Sequence, residues 1–108
     1  MNIELRSTSV TVSPALHEHV VHRIELALRR FAPRVHRVVV RLIDLNGPKG
    51  GIDKRCRIVA ALDPRGTIVV QADADDAYVS ATRAAALLDE RIGRLVRKRH
   101  HSSDLAAE

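Results

Sequence analysis

Aromatic side chains are nearly missing from this chain. They make up 2% of it, Phe31 and Tyr78 alone, with no tryptophan. A surface that grips single strands by stacking bases on rings is therefore excluded. Cysteine is reduced to Cys56, which cannot form an internal disulfide and fits a reducing cytoplasm. No apolar run approaches the ~18 residues of a membrane span. The opening Met1-Asn2-Ile3-Glu4 lacks the basic region and apolar stretch of a signal peptide. Nothing has the form of a catalytic triad or of a carboxylate pair in a pocket. These absences lead us to expect a cytoplasmic protein that is not an enzyme, with no cofactor, no metal, no membrane and no small-molecule substrate.

What is abundant is arginine. The net charge is +5, from 18 Lys and Arg against 13 Asp and Glu, and 15 of the 18 cations are arginine. Arginine keeps its charge at any working pH, and its planar fork suits phosphate. A polyanionic partner is favoured. At 108 residues the chain reads as one domain with a modest core. The domain is placed at residues 1–101, with 102–108 as a short, frayed polar tail.

Met1 to Arg6 alternates, with Ile3 and Leu5 on one face, and predicts a short strand broken by Ser7-Thr8-Ser9. Ser13-Pro14 is a helix start, a capping residue followed by one pre-set for the first helical position. Leu16, Val20, Ile24, Ala27, Leu28 and Phe31 carry the helical period, which stops before Pro33. Arg34 to Leu45 is rich in β-branched residues and predicts a central strand. Asn46 to Gly51 reads as a mobile hairpin loop; it lacks the closing Gly-Lys-Ser/Thr of a nucleotide-binding loop. Lys54 to Leu62 alternates Cys56, Ile58, Ala60 and Leu62 with Arg55, Arg57, Val59 and Ala61, one buried face and one wet, basic face. Asp63 to Gly66 is a turn, and Thr67 to Asp73 a fourth strand. A last helix opens at Asp75-Asp76 and closes at Arg97-Lys98-Arg99-His100-His101, an arrangement that matches the helix dipole. The expected fold class is α+β, in the order β-α-β-β-β-α. It has a four-stranded mixed sheet, a parallel first pair and both helices on one face. The other sheet face is left to solvent.

The main functional signal lies on the helices. In the last one, Ala81, Ala85, Leu88, Ile92 and Leu95 share a face, and Arg91, Arg94 and Lys98 run beside it, with Arg83 further round. In the first, Arg23, Arg30 and His19 flank the apolar stripe. The functional reading is a joint cationic groove for RNA phosphates, lined by Arg23, Arg30, Arg83, Arg91, Arg94, Arg97 and Lys98. The bland reading is two solvated flanks whose arginine stems shield the core edge. His17, Glu18, His19 and His22 suggest a metal, but Val21 breaks the His-Glu-x-x-His motif and no third ligand is evident. His17 falls on the apolar face and reads as a packed histidine. Cys56 reads as a small buried hydrophobe rather than a nucleophile.

Taken together, Val12-x-x-x-Leu16-x-Glu18-x-Val20-x-x-Arg23-Ile24, the closing Phe31, Val38-x-Val40-x-Leu42 and Asp76-Ala77-Tyr78-Val79-Ser80-Ala81 carry a resemblance. Across about residues 3 to 100, the chain is similar to the ribosome hibernation-promoting factors, also called ribosome-associated inhibitor A or sigma-54 modulation proteins. The resemblance implies a fold shaped like double-stranded RNA-binding domains. It implies binding to the small ribosomal subunit and its rRNA in the channel of messenger and transfer RNA, on whole ribosomes too, with translation blocked in stress. Asp76 and Tyr78 match the family motif, and Arg23 and Arg94 match its basic positions. Leu26 and Leu87 stand where the family often has lysine, Glu90 where it often has arginine, and Thr82 where it has aspartate. Long members of the family carry a second domain that pairs ribosomes; a chain ending at 108 is expected to need a partner for that. A general structured-RNA-binding stress protein and a small metal-binding protein are the alternatives.

Overall fold

The computed structural model describes residues 1–46 and 52–107, with side chains as far as residue 98. The chain runs β1 (Asn2–Thr8), α1 (Pro14–Leu28), a 3-10 segment (Arg29–Arg34), β2 (Val35–Asp44), β3 (Lys54–Leu62), β4 (Thr67–Ala74) and α2 (Ala77–Ala107). The sheet order is β1-β2-β3-β4; β1 and β2 are parallel, and the other two pairs antiparallel. The α+β expectation is met, with β2 and β3 central. The glycine loop, read from the sequence as a mobile hairpin, falls at 47–51, outside the described residues.

Alternation dictates which face of the sheet is covered. Val38, Val40 and Leu42 of β2, Cys56, Ile58, Ala60 and Leu62 of β3, and Ile68 and Val70 of β4 are all buried. They share one face, because the register pairs Val38 with Ala60, Val40 with Ile58, and Ile58 with Val70. The helices lie over it. α1 contributes Leu16, Val20, Ile24 and Leu28, while α2 contributes Ala81, Ala84, Ala85, Leu88 and Ile92.

Local chemistry sets most boundaries. Ser13 caps α1, its Oγ accepting from the Leu16 amide at 3.1 Å, with Pro14 first in the helix. Asp76 caps α2, its Oδ1 accepting from the amides of Tyr78 at 2.6 Å and Val79 at 3.4 Å. At the β3–β4 turn Gly66 adopts φ 109, a region open to glycine, while its carbonyl accepts from the Leu62 amide at 2.9 Å.

Several expectations need correction. β1 does not stop at Arg6: Ser7 and Thr8 continue the parallel ladder opposite Leu42 and Ile43. α1 ends at Leu28, and Pro33 sits inside the 3-10 segment. Proline has no amide to donate and disfavours α geometry at Ala32, so the chain tightens and still buries Phe31. His17 is exposed. It lies in the first turn of α1, on the side away from α2, beside a cleft formed with Leu5, Ser7, Val12 and Pro14. The backbone of 102–107 continues α2 as helix.

Candidate nucleic-acid interface

Both helices carry cations beside their buried stripes, and the question is which way each flank turns. The α1 flank with His19 and Arg23, continued by Arg30 of the 3-10 segment, turns toward α2. His19 Nε2 lies 3.1 Å from the Tyr78 carbonyl and 3.0 Å from Thr82 Oγ1, and its ring tilts at 57° to Tyr78 with centroids 5.0 Å apart. Arg30 pairs with Asp89 at 3.2 Å and lies over the Phe31 ring, 5.0 Å from its centroid. Arg23 lines the groove between the helices with Leu26, Ala27, Thr82, Ala86 and Asp89.

Tyr78, Thr82 and Asp89 thus mark the α1-facing flank of α2. Arg83, Arg91, Arg94 and Lys98 lie about half a helical turn away from them, on the opposite flank. Arg83 accordingly reaches β4, donating to the Asp73 carbonyl at 3.4 Å. Arg97 folds back along α2, its Nη1 3.2 Å from where a Cβ on Gly93 would stand, a spot that Phe31 also borders; α2 spans 31 residues, and its fully buried apolar positions stop at Ile92. The expected joint groove is therefore not formed: of the predicted set the structure brings together Arg23 and Arg30, and places Arg83, Arg91, Arg94 and Lys98 beyond α2. The helical wheel shows how far a residue lies from the core, but the topology decides which flank meets the neighbouring helix.

The cations also differ in what holds them. Arg94 is tied to Glu90 four residues back at 2.7 Å, and Arg30 to Asp89. Arg23, Arg91, Arg97 and Lys98 are exposed and make no ion pair among the described residues. The family-atypical residues have local roles here: Glu90 holds Arg94, and Thr82 meets His19. Leu26 and Leu87 are both 41% exposed.

Metal and thiol chemistry find little purchase. His19 Nε2 faces a carbonyl, an arrangement that places its proton there and removes that lone pair from a metal. No group of three or more His, Cys, Asp or Glu side chains converges among the described residues. Cys56 is fully buried in β3, and burial pushes its thiol up to about 12, so it stays protonated and inert.

The open face of the sheet holds residues that sequence reasoning left to solvent. Arg6 of β1 stands opposite Arg41 of β2, Arg41 opposite Arg57 of β3, and Arg57 opposite Gln71 of β4. The acids on this face are Glu4 and Asp73. The Arg37 guanidinium, then Arg6, holds Glu4 below the usual carboxylate range; Arg55 does the same to Asp73 through bonds of 2.9 and 3.1 Å. The alternation of β3 signalled Arg57, but only the register reveals the row.

Two solved structures share this architecture. A ribosomal subunit interface protein from Coxiella burnetii is 19% identical with a TM-score of 0.73, the match covering 90% of this chain and 99% of that one. The N-terminal domain of Protein Y from Thermus thermophilus is 22% identical with a TM-score of 0.71, covering 88% of this chain and 99% of that one. At these identities the likeness shows the fold. Among curated proteins, no sequence matches at a significant level. Residues 3–100 match the family described as sigma 54 modulation protein / S30EA ribosomal protein, and the chain belongs to that family.

Proposed function

We propose that this protein is a non-catalytic ribosome-associated factor that binds the rRNA of the small subunit. It occupies the messenger and transfer RNA channel and so holds translation in check, as a hibernation factor of the cytoplasm. The observation that carries this reading is the set Arg91, Arg97 and Lys98: three exposed α2 cations without ion pairs among the described residues, on a chain of the S30EA family. Cations already paired internally have little to gain from phosphate, whereas unpaired ones release counterions when they meet it. Arg23 adds a further contact from the helix groove, and Arg83 and Arg94 follow once their weak surface contacts exchange for phosphate. Binding needs no aromatic ring, in keeping with the composition, because phosphates position the protein and its bulk excludes competing RNA.

Gradient sedimentation with purified small subunits tests the reading. The protein is expected to travel with the subunits at low salt, to leave them as salt rises, and to be displaced by messenger or transfer RNA. Recovery of all the protein at the top of the low-salt gradient would overturn the reading. Subunit binding that is indifferent to both competitors would point instead to another ribosomal site.

A further inference from the structure

The sheet face turned away from the helices is strongly basic and has no cover among the described residues. Arg41 and Arg57 stand directly opposite one another in antiparallel register, both exposed, and neither makes an ion pair among the described residues. Like charges placed directly across a strand pair weaken the sheet. This fold therefore carries a local repulsion at the centre of its sheet, and Arg6 on the next strand extends it. Nearby Glu4 pairs with Arg37 at 2.6 Å and with Arg6 at 3.1 Å, and Asp73 with Arg55, so neither acid reaches the opposed Arg41 and Arg57. Between the arginines runs a shallow groove floored by Val39, Ile43 and Val59. Adjacent strands are ~4.8 Å apart, so the three backbone positions cross roughly 10 Å of sheet in a line.

We propose that this row, Arg6-Arg41-Arg57 continued by Gln71, is a second phosphate-binding surface that takes an RNA sugar–phosphate backbone on the side opposite the helices. The choice of RNA as the occupant rests on the ribosomal reading above. Charge complementarity excludes a second copy of the same face, which would oppose arginine to arginine. Neither aromatic residue lies on these strands, so the surface reads backbone charge rather than stacked bases. With unpaired cations on the helix layer as well, the protein is clasped between two RNA segments.

The test uses the full chain with Arg41→Gln and Arg57→Gln together. Binding is titrated against salt on three probes: purified small ribosomal subunits, polyuridylate and polyglutamate. The double variant is expected to bind subunits and polyuridylate about tenfold more weakly, with a log–log salt slope flatter by about 1.5, the value for two lost phosphate contacts. Its melting temperature should be unchanged or higher, since the opposed charges are gone, and Arg41→Lys with Arg57→Lys should restore most of the slope. Wild-type affinity and slope for both RNA probes would overturn the proposal, and so would an equal loss on polyglutamate, which would mark a general site for acidic chains. If even the wild-type protein fails to bind subunits but the variant loses polyuridylate, the ribosomal reading falls and this surface stands.

Discussion

α1 and α2 cover the same sheet face by opposite means. α1 reaches down with large side chains, Leu16, Val20, Ile24 and Leu28, whereas α2 comes close through Ala81, Ala84 and Ala85 and adds Leu88 and Ile92. Their cations contrast as well. Arg23 of α1 and Arg30 just after it turn into the helix–helix seam, where Arg30 is tied to Asp89; Arg83, Arg91, Arg94 and Lys98 of α2 turn away from it, and Arg91 and Lys98 have no acid partner among the described residues. Two stripes that look equivalent on a helical wheel thus differ in surroundings: one joins helix to helix, the other faces away from that seam.

The packing half of this contrast can be broken by substitutions of opposite kind. Ile24→Ala in α1 should lower unfolding free energy by about 2–5 kcal/mol, because a fully buried side chain is removed from above the sheet. In α2 the damaging change is enlargement: Ala84→Leu, at a position with no exposure, should cost about 1–3 kcal/mol by overpacking. Both are read by denaturant titration. If α2 accepts leucine at Ala84 without loss, the close-approach account of that helix is wrong.

A smaller effect concerns the caps. Removing either Ser13 or Asp76 by Ala should cost about 1 kcal/mol, with Asp76 the costlier because its charge also meets the dipole at the start of α2. Equal losses in thermal melts would remove the charge contribution. Smallest of all is Arg30→Ala, where an exposed pair at 3.2 Å should contribute at most about 0.5 kcal/mol. A larger loss would mean that the seam, including the contact with Phe31, holds the helices together more firmly than its exposure suggests.

Much of this molecule was legible before any coordinates. Element order follows from two periods, 2 for the strands and 3.6 for the helices, punctuated by Ser13-Pro14, the glycine loop and Asp63-Pro64. Local pattern failed where tertiary context decides. Pro33 marks a helix end in isolation, but here the chain tightens into a 3-10 segment that buries Phe31. His17 borders the apolar phase, but it lies on the side of α1 away from α2 and stays exposed while Leu16 beside it is buried. The candidate site was legible as residue types and not as a place: Arg23 and Arg91 both border a core stripe, yet the flank each helix shows its neighbour is set by how the helices dock. The opposition of Arg41 and Arg57 depends on strand register, which includes a shift between Val35 and Arg37 that no alternation pattern reveals.

The account turns on the α2 cations rather than the seam being the grip on small-subunit RNA. The direct measurement is the salt dependence of binding to purified small subunits for wild type, for a variant with Arg91, Arg97 and Lys98 all changed to Gln, and for Arg30→Ala. The triple variant should flatten the log–log slope by about 2 or more while Arg30→Ala leaves it unchanged. A triple variant that binds with the wild-type slope, or an Arg30→Ala loss of the same size, would contradict the account.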